Sequence, residues 1–142
     1  MKAQVKWQGA AKFEGLTETG HVITMDGAQE FGGENQGARP MELLLIGMGG
    51  CSAFDVVLIL KKSRQDIVDC VVDIDSERAD SEPKVFTKIH AHFTVSGRGL
   101  SEKHVARAVQ LSAEKYCSAS IMLGKTAEMT HDFEIIEVDS FV

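Results

Sequence analysis

The sequence predicts an α+β fold in which antiparallel strands wrap two helices, each of which carries a cysteine. One observation is an apolar run from residue 40 to residue 60, which is too long for a strand and has helix start and stop signals. Another is a run from 101 to 117 with apolar residues at helical spacing. The other segments alternate apolar and polar residues between turn residues, as strands do.

Composition limits the class of protein. A length of 142 residues fits one domain, so we expect a single domain over 1–142. A hydrophobic content of 44% and a charged content of 25% are ordinary for a soluble globular protein. The net charge of −6 argues against a nucleic-acid partner. Three cysteines without an N-terminal signal pattern predict a cytoplasmic protein with free thiols.

The N-terminal part predicts an antiparallel meander of three short strands. Residues 3–7 alternate apolar and polar side chains, residues 12–16 form a second strand, and residues 20–25 a third. The first two strands are separated by a turn at 8–11, and Asp26-Gly27 is a strong turn dipeptide. A glycine-rich loop over 31–37 then leads into the central helix.

The central helix has clear ends. Pro40 suits its first position, Glu42 complements the positive end of the helix dipole, and basic residues follow its last turn: Lys61, Lys62 and Arg64. A membrane span is one interpretation of this apolar run. A buried core helix fits better, because Glu42, Asp55 and three glycines interrupt the run. The glycines Gly47, Gly49 and Gly50 suggest close packing by another backbone or an uncrowded thiol at Cys51.

A long hairpin is predicted after this helix. Its expected core face is made of apolar and small residues on both strands: Val68, Cys70, Val72, Ile74, Val85, Thr87, Ile89, Ala91, Phe93 and Val95. A row of Asp and Glu on the outer face of the first strand is expected opposite Lys88, His90 and His92. Cys70 lies on the apolar face, where a free cysteine behaves as a small hydrophobe.

The second helix is expected to begin after Ser101, a good N-cap residue, and to end near Cys117. Its buried stripe is predicted to contain residues at helical spacing: Val105, Val109, Ser112 and Tyr116. A short helical turn is expected over 118–124, and a strand over 127–138 closes the sheet.

The chain resembles the osmotically inducible protein C / organic hydroperoxide resistance (OsmC/Ohr) superfamily over almost its whole length. The resemblance rests on Gly32-Gly33, on the run from Pro40-Met41-Glu42 to Gly50-Cys51, and on a run that ends in Tyr116-Cys117-Ser118-Ala119-Ser120. This last run is similar to the family pattern Ala-x-x-x-Cys-Pro-x-Ser. The resemblance implies an OsmC-like fold, with antiparallel sheets around two long central helices, and an intertwined homodimer with its active sites at the interface.

The resemblance also implies a thiol-dependent peroxidase that acts on organic hydroperoxides. Cys51 would attack the peroxide, Cys117 would close a disulfide, and a dithiol such as a dihydrolipoyl protein would reduce it. A thiolate is the nucleophile in such chemistry, and a nearby thiol captures the sulfenic acid. An apolar pocket from Leu44, Met48 and Phe54 would favour organic peroxides. No cofactor, metal, nucleic-acid partner or membrane is expected.

The sequence departs from the family at the residues that activate the cysteine. The family places a glutamate directly after the proline, where this chain has Met41. Glu42 would lie on the opposite helix face from Cys51, about 13–14 Å away. No arginine occurs over 13–19, and Arg39 is the nearest candidate for the family's arginine. Ser118 replaces the proline after the second cysteine.

Two alternatives to a peroxidase remain. The first is a redox-sensing or small hydrophobic ligand-binding homodimer on the same scaffold, without efficient peroxidase activity. The second is a metal site that combines Cys51 and Cys117 with a histidine. His90 and His92 have His-x-His spacing, but strand alternation places both on the outer face. The sequence also contains no Cys-x-x-Cys pair, so a metal is not the expected outcome.

Overall fold

A computed structural model describes residues 1–139 and confirms the α+β class. The chain divides into two compact units, Met1–Ile46 and a second unit that begins at Gly47. The single domain predicted over 1–142 stays a prediction, and its residues 140–142 lie outside the described part of the chain.

The first unit contains the predicted meander. Strands β1 (Ala3–Trp7), β2 (Lys12–Thr17) and β3 (Val22–Asp26) pair antiparallel in chain order. A single 3₁₀ turn, Gln29–Phe31, follows. Asp26 is buried, and its Oδ2 accepts backbone N–H bonds from Glu34 at 2.9 Å and Gln36 at 3.2 Å. The glycine-rich loop is therefore held by one carboxylate. Gly33 is required there, because a Cβ would collide with the Gly27 carbonyl.

Helix α1 spans Pro40–Lys62, as its end signals predict. Glu42 serves as a cap, since its Oε1 accepts the Arg39 backbone N–H at 2.7 Å. The buried residues of α1 recur at every fourth position: Met48, Ser52, Val56 and Leu60. By length and composition alone α1 could cross a membrane, a test that core helices of soluble proteins also pass.

Strands β4 (Asp66–Arg78) and β5 (Phe86–Arg98) form the predicted antiparallel hairpin. Two irregularities change its inward face. A bulge between Ile67 and Asp69 turns Val68 outward, so Val68 is 52% exposed, contrary to the prediction. A second register shift buries Phe86 and exposes Thr87, which reverses the prediction for the start of β5. Beyond it, Ile89 and the alternate residues up to Val95 are buried as expected.

The last strand, β6 (Glu128–Glu137), pairs with β5. Its pairing is parallel, so the sheet with order β4-β5-β6 is mixed and not wholly antiparallel as predicted. The reason is topological, because helical segments lie between β5 and β6 and allow the chain to return in the same direction.

The second helical segment ends next to Cys117 as predicted, but its last turn is π-helical. Helix α2 runs from Glu102 to Leu111, a π-helical turn follows over Ser112–Tyr116, and α3 spans Ser118–Leu123. Ser101 caps α2 as expected, with its side chain accepting the His104 N–H. The wider π turn rotates Tyr116 out of the predicted buried stripe, and Tyr116 is 50% exposed. Ala108 joins Val105 and Val109 in the core of the second unit.

Candidate active site

The two cysteines that the resemblance pairs are brought together in the second unit. Cys51 lies on α1 and is half-buried, whereas Cys117 lies between the π turn and α3 and is 0% exposed. Their Sγ atoms and a carboxylate oxygen of Asp55 all lie within 4.8 Å of one another. Both cysteines are reduced, so the structure holds a dithiol beside a carboxylate.

The local folds explain this meeting. Cys51 and Asp55 are one helical turn apart on α1, so their side chains lie on the same side of the helix. The π turn ends with the Cys117 N–H donating to the Ser112 carbonyl at 2.8 Å, and Cys117 then caps α3. Gly49 lets the hairpin approach α1, because a Cβ there would come within 2.9 Å of Ile74 Cδ1.

Three donors converge on the buried sulfur of Cys117. The Ser52 and Ser120 hydroxyls each donate at 3.1 Å, and the Ser120 backbone N–H donates at 3.4 Å. Burial alone raises the pKa of the Cys117 thiol, but the hydrogen bonds from Ser120, Ser52 and Cys51 outweigh it and lower this pKa. Cys117 is therefore the more acidic thiol of the pair.

The pKa of the Cys51 thiol is shifted in the opposite direction. A hydrogen bond from the Ala119 backbone lowers the pKa of its thiol, but burial, the Cys117 sulfur and the Asp55 carboxylate together raise it above the ordinary value. Cys51 thus keeps its proton at neutral pH and donates toward Cys117. The pair therefore consists of a less acidic thiol on the half-buried side and a more acidic thiol on the buried side.

Asp55 is fixed from the other side by the π turn. The Ser112 hydroxyl lies 3.1 Å from Asp55 Oδ2 and 3.3 Å from the Ser52 carbonyl, and Ser112 is fully buried. Among residues 1–139, no Lys, Arg or His lies within ion-pair distance of Asp55. Asp55 is thus held by a serine of the π turn.

Other residues considered from the sequence lie elsewhere. The Glu42 carboxylate is engaged as the cap of α1. Met48 is buried and its carbonyl lies 3.8 Å from Cys117 Sγ, whereas Leu44 and Phe54 are exposed, and the apolar pocket expected from these three residues stays a prediction. Cys70 is half-buried on β4, where burial raises the pKa of its thiol. No histidine of the described chain joins the cysteine pair.

The glycines that precede Cys51 divide into two kinds. A Cβ at Gly49 would press against the tip of the Ile74 side chain, which is a side-chain contact and not the close approach of another backbone that the sequence suggests. A Cβ at Gly47 or Gly50 would meet no atom of residues 1–139 within 4 Å. These two glycines therefore leave the helix surface beside Cys51 open.

Three serines and the position of Asp55 are parts of the site that are not predicted above. The positions of Asp55 and Ser120 could have been recognised from their spacing relative to the two cysteines. Cys51 and Asp55 are four residues apart on a helix, and Ser120 follows Cys117 by three residues at the start of a helix, where an N-cap side chain meets the third N–H. No sequence pattern identifies Ser52 or Ser112, because their roles depend on contacts between elements that are distant in sequence.

Comparisons with known proteins identify the family of the chain. The family profile described as OsmC-like protein matches residues 33–132. The protein named YhfA of Escherichia coli K12 is 49% identical over 136 residues, which cover 96% of this chain and 98% of YhfA.

Two solved structures have the same fold. A hypothetical protein from Aquifex aeolicus superposes with a TM-score of 0.86 at 30% identity and 97% coverage of both chains. The organic hydroperoxide resistance protein OhrB of Bacillus subtilis superposes with a TM-score of 0.65 at 15% identity, covering 94% of this chain and 98% of that one. The chain therefore belongs to the OsmC-like family.

Proposed function

We propose that this protein is a cysteine peroxidase that reduces organic hydroperoxides, with Cys51 as the attacking residue and Cys117 as the resolving residue. The observation that carries the proposal is the approach of the two Sγ atoms to within 4.8 Å. Membership in a family with organic hydroperoxide resistance proteins among its structural neighbours supports the redox class. Exposure supports the division of roles, because Cys51 is half-buried and Cys117 is wholly buried.

The chemistry proceeds in two steps. The Cys51 thiolate attacks the terminal oxygen of the hydroperoxide, the O–O bond breaks, and an alkoxide leaves and takes a proton to become an alcohol. The Cys117 thiolate then attacks the Cys51 sulfenic acid, and hydroxide leaves as water after gaining a proton. The donors on Cys117 favour the thiolate that this second step needs. A dithiol reductant returns two electrons and two protons to the disulfide.

A redox sensor on the same scaffold is the second candidate, and Asp55 is the observation that favours it. A carboxylate beside Cys51 opposes formation of the attacking thiolate. Among the described residues, no cation lies close enough to Asp55 to offset this. A slow first step followed by a fast second step would suit a switch better than an efficient catalyst.

The deciding experiment is the timed oxidation of the reduced, chelator-treated protein by one equivalent of cumene hydroperoxide. Peptide mapping after seconds is expected to show a Cys51–Cys117 disulfide and an unmodified Cys70. In Cys117→Ser, the expected product is a Cys51 sulfenic acid that a dimedone probe traps. Cys70→Ser is the matched control and should react as the wild type does.

The outcomes separate the candidates. A disulfide that forms much faster than free cysteine is oxidised supports the peroxidase. Clean formation of the same disulfide at the rate of an ordinary thiol favours the sensor. Oxidation of Cys70 as readily as Cys51 would contradict both assignments.

Two further properties belong to the same proposal. OsmC/Ohr proteins are typically dimers, and we propose that this chain forms a homodimer through the exposed apolar side chains of α1. We also propose a cytoplasmic location, since free thiols persist in a reducing compartment.

A further inference from the structure

The carboxylate of Asp55 is the feature that the peroxidase chemistry leaves unexplained. It is half-buried, it accepts one hydrogen bond from Ser112, and within residues 1–139 it has no cationic side chain at ion-pair distance. Two thiols within 4.8 Å add further negative charge whenever they ionise. A partly buried anionic cluster of this kind is stabilised by a cation.

We propose that the reduced Cys51–Cys117 pair and Asp55 together form a binding site for a thiophilic divalent cation of the Zn²⁺ class. This site goes beyond the proposed peroxidase and does not depend on peroxide reduction. The occupied site and the disulfide exclude each other, because both use the same two sulfur atoms.

The geometry fits one tetrahedral ion. With Zn–S bonds of about 2.3 Å, two thiolates on one zinc lie about 3.8 Å apart. The three ligand atoms already lie within 4.8 Å of one another, so small side-chain rotations bring them to one centre. Cys51 is the partly exposed member, and its side offers the fourth position to water.

The ligand types select the metal. Two sulfurs and one carboxylate oxygen suit Zn²⁺, Cd²⁺ and Co²⁺, whereas Mg²⁺ and Ca²⁺ require all-oxygen sites. This set differs from the histidine-containing set considered from the sequence, because His90 and His92 are bonded to carboxylates and a threonine on β6.

The surrounding hydrogen bonds are those that orient metal ligands. Ser112 holds Asp55, while Ser52 and Ser120 both donate to Cys117. In metal sites such outer partners fix the direction of the ligand lone pairs and tune affinity. Binding one divalent ion converts both cysteines to thiolates, so a proton leaves each thiol that is protonated beforehand.

The test uses the full-length reduced protein without peroxide, with Co²⁺ as a spectroscopic probe and Zn²⁺ as competitor. We expect one Co²⁺ per chain, an intense thiolate-to-cobalt charge-transfer band in the near ultraviolet, and visible bands of tetrahedral Co²⁺. Zn²⁺ should displace the cobalt and abolish these bands. Cys70→Ser is the control that should bind as the wild type does.

Three changes are expected to remove or weaken the site. Diamide oxidation of the wild type should abolish the charge-transfer band without any mutation. Cys51→Ser should reduce the intensity of that band by about half or eliminate it, because one of two Co–S bonds is lost. Asp55→Asn should weaken Zn²⁺ binding by about 100-fold, measured by competition with a chromogenic chelator. Loss of a residue that only bonds to a metal ligand lowers metal affinity by about 10–100-fold, so loss of a ligand should reach at least the upper end of that range.

Asp55→Asn also separates this proposal from the peroxidase. Removing the carboxylate should weaken Zn²⁺ binding but speed the reaction of Cys51 with hydroperoxide, so the two readouts move in opposite directions. Asp55→Glu, which keeps the charge, should retain the cobalt spectrum. The proposal is overturned if the reduced wild type gives no thiolate-to-cobalt band, or if Asp55→Asn binds Zn²⁺ as tightly as the wild type.

Discussion

Ser52 links the helix that carries Cys51 to the other cysteine. It follows Cys51 in the chain, yet its hydroxyl points to the other cysteine and donates to Cys117 Sγ at 3.1 Å. Ser52 is also buried, so water cannot replace this bond if it is lost. The ionisation of Cys117 thus depends on the helix that carries Cys51.

Ser52→Ala should therefore slow closure of the disulfide. Loss of one donor raises the pKa of Cys117, and a hydrogen bond to a charged group is worth about 1.5–3 kcal/mol, so we expect closure to slow by about 10-fold or more. The Cys51 sulfenic acid should then persist and be trapped by a dimedone probe after one equivalent of hydroperoxide.

Two control variants show whether slower closure is due to the lost hydrogen bond. Ser52→Thr restores a hydroxyl and should recover most of the closing rate, which a purely structural defect would not allow. Ser118→Ala changes an exposed serine next to Cys117 and should have no effect. Equal trapping in Ser52→Ala and the wild type would mean that the Ser52 bond does not govern Cys117.

At the residue scale, the sequence predicts which cysteines to consider better than it predicts which side chains bond to one another around them. Cys51 and Cys117 could be chosen because the spacing of the family motifs marks them. The sequence does not predict the bond between Asp55 and Ser112, because Ser112 lies on another element and the bond depends on tertiary packing.

At the scale of elements, a histidine–carboxylate ladder crosses from β5 to β6. His92 bonds Asp132 at 2.7 Å and Glu134 at 3.0 Å, and His90 bonds Asp132 at 2.9 Å and Thr130 at 2.7 Å. The predicted opposition of the β4 acids to these histidines is confirmed by register, with Asp73 opposite His92. The hydrogen bonds nevertheless go to β6, whose parallel pairing with β5 the sequence does not predict.

This ladder should give a pH-dependent contribution to stability. Glu134 and Asp132 raise the pKa of His92, so its contribution is fully present below the unfolded value of about 6.5 and is lost as pH rises through the folded value. His92 in turn lowers the pKa values of Asp132 and Glu134, whose contributions are lost as pH falls through their folded values. The ladder therefore contributes most between about pH 4.5 and 6.5.

His92→Gln should lower the Tm most within that window, and its deficit should shrink as pH rises above it. The other charged groups on this face are Asp69, Asp73, Asp75 and Glu77 on β4, Lys88, His90 and Arg98 on β5, and Glu128 on β6. His131→Gln is the matched control, because His131 alternates with the ladder residues on β6. A deficit that does not change with pH would indicate lost packing.

Some elements depart from the regular alternation of inward and outward side chains. The central part of the hairpin follows the predicted pattern, but one extra residue at each bulge flips the face of its neighbours, as Val68 and Thr87 show. The π turn does the same for Tyr116. A period read from the sequence cannot locate such insertions, since they are set by the fit between strands or helices.

At the scale of the whole molecule, the order of elements could be predicted and the pairing of the last strand could not. Turn residues, helix caps and apolar periods are local, and they predicted the meander, α1 and the hairpin. The parallel pairing of β6 with β5 is a long-range choice that no local pattern encodes. The family resemblance supplied the overall fold where local patterns ended.

The exposed apolar side of α1 gives a prediction about assembly. Only Met48, Ser52, Val56 and Leu60 of this helix are buried, whereas Phe54 is 66% exposed. Exposed apolar area of this extent on a central helix is typical of a subunit interface. We therefore expect the purified protein to be a dimer by sedimentation equilibrium without detergent.

Phe54→Asp should weaken that dimer. Full burial of a phenylalanine contributes about 1.5–3 kcal/mol, and a two-fold interface counts the residue twice, so we expect the dissociation constant to rise by at least about 100-fold. Phe54→Leu keeps an apolar side chain and should remain dimeric, and His104→Asp places the same new charge on an exposed position of α2 as a control. A wild-type monomer, or a Phe54→Asp dimer of unchanged affinity, would contradict assembly through α1, and the exposed side of this helix would then need another explanation.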